Sequence, residues 1–137
     1  DDWSGGGGSS KRLAPPGGML GVSVYELPPD GYGVYHFHHG SEERLVVLRG
    51  QPTLRTPDGE RQLDEGEAVY FPPGPEGAHG LTNRTSEPVR FLMAGTRPSP
   101  EVVEYPDLGQ LTAQSGHESQ AGEQLFVIHQ LVDPPAE

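Results

Sequence analysis

From Met19 onward, apolar residues arrive in short runs separated by Pro, Gly, Asp and Ser, the rhythm of strand and turn. Leu20 to Leu27 is the first run and ends at Pro28-Pro29-Asp30-Gly31. Val34 to His38 is the second, Glu43 to Arg49 the third and Thr53 to Thr56 the fourth. Pro57-Asp58-Gly59 has the residues of a tight turn, so Arg61 to Leu63 should pair back as a hairpin. Ala68 to Phe71, His79 to Arg84 and Val89 to Met93 follow, the last two joined by a turn at Thr85-Ser86-Glu87-Pro88. Val102 to Tyr105 and Leu125 to Val132 are also extended in pattern, and no apolar period of 3.6 persists beyond a turn. The chain is therefore expected to be all-β, a sandwich or barrel.

Three zones follow. Residues 1–18 contain Gly5-Gly6-Gly7-Gly8-Ser9-Ser10 and have the composition of a flexible arm, with Trp3 able to anchor it. Residues 19–97 hold the regular run of strands. Residues 98–137 form an extension with a polar loop expected over Ala113 to Gly122. In its last strand Leu125, Val127, His129 and Leu131 share one face, while Phe126, Ile128 and Val132 occupy the other. A strand apolar on both faces needs cover on both, from the barrel or from a second subunit, and a homodimer is expected.

Composition narrows the chemistry. The 137 residues contain 20 Gly and 15 Pro, which here punctuate strands rather than signal disorder. Without cysteine, no disulfide or thiolate–metal bond can form, as suits a reducing cytoplasm, the expected location. A formal charge of −11 argues against nucleic acid as a partner. Apolar runs such as Leu45-Val46-Val47-Leu48 are too short to span a bilayer, and no secretory leader is visible.

The residues that carry chemistry are His36, His38, Glu43 and His79. Residues two apart on a strand share a face, so His36 and His38 point together while Tyr35 and Phe37 point away. The next strand opens with Glu42-Glu43, and Glu43 shares a face with Leu45 and Val47, which have the character of barrel lining. His79 begins a later strand with Leu81 and Asn83 on its side. Three imidazoles and one carboxylate suit one divalent transition metal per chain (Fe, Mn, Ni, Cu or Zn), with coordination positions left for a small molecule.

The stretch from Gly31 through His36-Phe37-His38-His39-Gly40-Ser41-Glu42-Glu43 to Gly50, followed by Gly66, Pro72-Pro73-Gly74, His79 and Asn83, resembles the two motifs of the cupin superfamily. The likeness extends from Leu20 to Met93 and is greatest to small, single-domain bacterial cupins of the conserved-barrel cupin-2 type, whose activities are mostly unassigned. Two departures exist: Asp30 stands where the first motif usually has glycine, and the segment between Gly74 and His79 is two residues longer than the common form. That longer loop is expected to widen the barrel mouth. The resemblance implies a double-stranded β-helix, a jelly-roll barrel, with the metal inside it.

Outside the ligand set, Val34, Leu45, Val47 and Leu81 are expected to line a substrate pocket, together with Tyr70 or Phe71, between which strand parity does not choose. His39 is assigned to a turn, His117 to solvent and His129 to a buried or interface position. No second carboxylate, lysine or arginine is placed in the cavity. Arg49 and Arg55, near strand ends, are expected at the surface, although an isomerase would need one such as Arg49 at the mouth to anchor an anion. Asn83-Arg84-Thr85 matches a glycosylation acceptor by chance. The apolar surround favours a dioxygenase acting on a small hydrophobic molecule. The alternatives are a Zn- or Mn-dependent isomerase, epimerase or lyase, and a non-catalytic binding or sensing module; no catalytic residue is assigned.

Overall fold

The computed structural model describes residues 8–15, 17–118 and 124–130. Twelve strands follow one another: β1 (Ser9–Arg12), β2 (Leu20–Leu27), β3 (Phe37–His38), β4 (Glu43–Arg49), β5 (Thr53–Thr56), β6 (Gly59–Gln62), β7 (Ala68–Phe71), β8 (Gly80–Thr82), β9 (Val89–Thr96), β10 (Glu101–Tyr105), β11 (Gln110–Glu118) and β12 (Gln124–Gln130). They build a five-stranded sheet in the order β1-β2-β9-β4-β7, a four-stranded sheet β12-β11-β10-β3 and a three-stranded sheet β6-β5-β8. Every pairing between these strands is antiparallel. The only helical turns among the described residues are the 3₁₀ turns Pro75–Gly77 and Pro106–Leu108, so none is long and apolar enough to cross a membrane. The arrangement is a jelly-roll β-barrel.

Strand alternation explains the core. On β4, Leu45 and Val47 are buried while Arg44 and Leu48 are exposed. Across the sheet Leu45 sits opposite Met93 and Val69, and Val47 opposite Phe91. Phe91 in turn sits opposite Tyr25, with the two rings stacked at 5.3 Å. Leu27, Leu54, Leu63, Phe71, Leu81 and Val89 complete one apolar cluster. Asn83 is buried beside it because it knots the β8–β9 turn. Its Nδ2 donates to the carbonyls of Leu27 (3.1 Å) and Glu87 (2.7 Å), and its Oδ1 accepts from the backbone N–H of Thr85 (2.9 Å).

Three expectations need correction. Within the segment read as a loose arm, Ser9–Arg12 is a strand, because the free edge of β2 offers its backbone groups to any extended partner. A mixed polar stretch such as Ser-Ser-Lys-Arg carries no alternation to announce this. Trp3 lies outside the described residues. The second expected strand shrinks to Phe37–His38; upstream of it, the chain tracks β8 through isolated bridges at Tyr32–Thr82 and His36–His79.

The described part of the polar tract, Ala113 to Glu118, is not a loop, since β11 runs to Glu118 and pairs on both edges. Within the last zone, β10 hydrogen-bonds to β3 in the register Val103–His38 and Glu104–Phe37. Leu131 and Val132 lie outside the described residues. On β12, Phe126, Val127 and Ile128 are all more than half exposed in the single chain.

Leu45, at 0% exposure, tests the core. Leu45→Ala should lower the unfolding free energy in urea by about 2–5 kcal/mol, the cost of a cavity in a closed cluster. Leu48→Ala, on the outward face at 46% exposure, should stay within about 0.5 kcal/mol of the parent.

Candidate metal centre

The reciprocal bridge between His36 and His79 brings the two motifs together. His36 N–H donates to the His79 carbonyl (3.1 Å) and His79 N–H donates to that of His36 (2.9 Å). Two residues further on, Gly74 N–H donates to the carbonyl of His38 (2.7 Å). The longer loop after Gly74 does not widen the mouth. It winds into the 3₁₀ turn Pro75–Gly77 and buries Gly77, Ala78 and His79. Only glycine fits at 77, since a Cβ there would lie 1.8 Å from the Pro72 carbonyl oxygen.

The imidazoles are oriented by what their δ nitrogens donate to. His36 Nδ1 meets the Val34 carbonyl at 2.7 Å, His79 Nδ1 the Gly77 carbonyl at 2.8 Å, and His38 Nδ1 the carboxylate Oε1 of Glu101 at 2.9 Å. The two carbonyls require a proton on Nδ1 and the Glu101 carboxylate accepts the one on His38, so in each ring Nε2 is the nitrogen left to offer a ligand. Glu43 joins them from β4, where its Cγ lies against Gly95. A Cβ at 95 would approach that Cγ to 3.0 Å, so glycine makes room for the carboxylate.

Ligand atoms of His36, His38 and Glu43 all fall within 4.8 Å of one another, close enough to hold one metal ion. Glu43 Oε1 is 2.7 Å from His38 Nε2 and 3.4 Å from His79 Nε2. Yet these three buried atoms have no hydrogen-bond partner of proper geometry. Buried polar atoms are nearly always satisfied, and three orphans converging on one point fit a cation between them. His79 stands slightly apart: its ring centroid is 4.7 Å from that of His36 but 6.5 Å from that of His38. It is held by Phe71, whose ring stacks on it at 3.8 Å.

The charges follow from the surroundings. Burial lowers the pKa of His36 and takes that of His79 down to about 4. For His38 burial acts in the same direction, but the carboxylates of Glu101 and Glu43 on its two sides outweigh it and raise the pKa to about 9. Burial likewise opposes ionisation of Glu43, and the neighbouring His38 overcomes it, so that its pKa is lowered.

A cavity of about 410 Å³ opens on the four ligand candidates. Val34 and Leu81 line it together with Tyr25, Leu27, Phe91 and Met93, and β1 contributes Ser9 and Ser10. Leu45 and Val47 do not reach it; they are sealed in the core behind. Phe71 faces inward but spends its face on His79. Tyr70 points outward, its hydroxyl donating to Glu42 Oε2 at 2.8 Å beneath the Arg44 guanidinium.

His39 lies on the outer face against Glu104, His129 is exposed in the single chain, and Arg49 is exposed. Arg55 is engaged with Asp107 and stacked on Tyr35 at 3.9 Å. Sequence reasoning missed Tyr25, which the inward parity of Ser23, Tyr25 and Leu27 could have disclosed. It also missed Glu101, for which no local signal exists.

The Cupin domain family (Cupin_2) matches residues 23–95, just over half of the chain. The chain belongs to the cupin family. Among solved structures, this cupin is similar to a sugar phosphate isomerase from a cupin superfamily of Silicibacter pomeroyi DSS-3, at 28% identity and TM-score 0.76 over 90% of this chain and 76% of that one. It is also similar to the polyketide cyclase RemF from Streptomyces resistomycificus, at 26% identity and TM-score 0.60, covering 67% of this chain and 66% of that one. A Cupin 2 conserved barrel domain protein from Salinispora arenicola CNS-205, at 24% identity and TM-score 0.58 over 65% of this chain and 75% of that one, shares the fold. No curated protein matches the sequence.

The two opposed histidine shifts define a pH window for the metal-free protein. A pKa of His38 raised from 6.5 to about 9 contributes stability that is complete below pH 6.5 and lost as pH rises through 9. The lowered value of His79 contributes stability present above pH 6.5 and lost as pH falls toward 4. Thermal unfolding of chelator-treated protein should therefore peak in stability near neutrality, and His38→Gln should flatten the slope between pH 6.5 and 9. An unchanged alkaline slope in that variant would contradict the assignment.

Proposed function

We propose that the protein is a mononuclear metal cupin in which His36, His38, Glu43 and His79 hold one divalent transition metal (Fe, Mn, Ni, Cu or Zn), and that its cavity takes a small, neutral, largely apolar organic molecule. The observation that carries the reading is the convergence of three buried, unpartnered atoms, His38 Nε2, Glu43 Oε1 and His79 Nε2, beside a cavity with mostly apolar walls. A divalent ion bound there supplies Lewis-acid polarisation of a substrate oxygen, or redox chemistry where the metal allows it. Leu27, Leu81, Phe91 and Met93 keep water away from that oxygen. Burial and the nearby Glu43 raise the Tyr25 phenol, so it stays protonated at neutral pH and can donate to the substrate.

Proton transfer on an enolisable carbonyl compound is the reaction class this combination supports best. The likeness to a sugar phosphate isomerase and to a polyketide cyclase points the same way. A phosphate group, however, finds no counterpart: no Lys or Arg lines the cavity among the described residues, Arg49 is exposed and Arg55 is committed to Asp107. The second reading, a dioxygenase, rests on the same apolar walls and donor set. An apolar ligand held without turnover would be the mark of a binding or sensing module.

Elemental analysis of natively purified protein should find one divalent metal per chain. His36→Ala and His79→Ala should each weaken its retention by more than the ~10–100-fold typical of losing an outer partner. Protein that neither carries nor takes up Fe, Mn, Ni, Cu or Zn would end the proposal. For the ligand class, neutral diketones and phenols should raise the melting temperature of the metal-loaded protein and phosphorylated sugars should not. With any ligand found, isomerisation without oxygen uptake, slowed ~10²-fold or more in Tyr25→Phe, supports proton transfer; stoichiometric oxygen uptake supports the dioxygenase.

A further inference from the structure

Strand β10 lies outside the matched family region, yet it contributes to the centre. Its inward residues are Glu101, Val103 and Tyr105: Val103 pairs with His38 across the β3–β10 ladder, Glu101 meets His38 Nδ1 at 2.9 Å, and Tyr105 places its ring 5.9 Å from that of His36. The outward residue Glu104 meets His39 instead, at 3.3 Å. Two histidines thus donate their Nδ1–H to backbone carbonyls and the third alone donates to a carboxylate. That contact is half sheltered, with side-chain exposures of 17% for His38 and 26% for Glu101.

We infer that Glu101 is a positioning residue of the metal centre, holding His38 in the tautomer that presents Nε2 and supplying the second negative charge that neutralises a divalent ion bound with Glu43. The inference rests on the metal-site reading above. A carboxylate on the far nitrogen of a ligating imidazole fixes the ring and makes it a stronger donor. With Glu43 and Glu101 both ionised, the charge of a divalent ion is cancelled within the site. A centre of that kind has no excess positive charge with which to draw anionic substrates, which gives a physical reason for the neutral ligand class.

The test uses the full chain, Zn(II) affinity measured against a chelator of known strength, and the EPR spectrum of the Cu(II) form. Glu101→Ala should weaken Zn(II) binding ~10–100-fold and change the Cu(II) hyperfine pattern. Glu101→Gln, which keeps an acceptor but drops the charge, should fall between Glu101→Ala and the parent and guards against a folding defect in the alanine variant. Glu104→Ala removes the same charge from the outer face and should bind as the parent does. Parent-like affinity and spectrum in Glu101→Ala, or an equal loss in Glu104→Ala, would overturn the inference while leaving the metal site standing. Failure of the parent protein to bind Zn(II) or Cu(II) would instead overturn the metal reading itself.

Discussion

Three imidazole N–H groups, each donating away from a shared point, are the constraint on which this site depends. Two of the acceptors, the carbonyls of Val34 and Gly77, belong to the backbone and cannot be lost without moving the chain. Because each δ nitrogen is committed, Nε2 is the nitrogen each ring has left to offer, and those of His38 and His79 face Glu43. The arrangement costs stability in the absence of a cation, since desolvated polar atoms go unpaired. It persists because the reciprocal bridge between His36 and His79 and the tight turn before His79 hold both segments in place.

The apolar core and the polar site are parts of one alternation. Glu43, Leu45 and Val47 point to the same side of β4, so the register that seals Leu45 and Val47 also aims the carboxylate. A slip of one residue would bury Arg44 and expose Glu43, losing core and site together. Phe71 works in the same double fashion, belonging to the apolar cluster while its ring sets the orientation of His79.

Electrostatics sets what the cavity can hold. The protein is strongly acidic, and the described cavity walls offer hydroxyls and hydrocarbon but no cation. Two carboxylates flank the histidines, one directed at the common point and the other behind His38. A divalent ion among them would leave a nearly neutral interior, and desolvation would then penalise an anionic guest more than a neutral one. The likeness to an enzyme of phosphorylated sugars thus extends to the barrel but finds no phosphate anchor among the described residues.

Much of this protein was legible before any coordinates. The strands Leu20–Leu27, Glu43–Arg49, Thr53–Thr56 and Ala68–Phe71 appear at the expected bounds, since period-two alternation between turn residues is a local property that each segment carries by itself. The choice of Glu43 over Glu42 was local for the same reason. Pairing is not local. That Ser9–Arg12 adds to the edge of β2, that the polar tract after Ala113 continues as β11, and that β10 lies beside β3 depend on backbone hydrogen bonds to distant partners. Such bonds leave no mark on the side chains. Parity could not separate Tyr70 from Phe71, because both neighbours are apolar; the packing of Phe71 on His79 decided it. Sequence alone determined the candidate donor set and the fold class, through motif spacing and alternation. Only the tertiary structure decided what each imidazole donates to, and so brought Glu101 to His38 from 63 residues away.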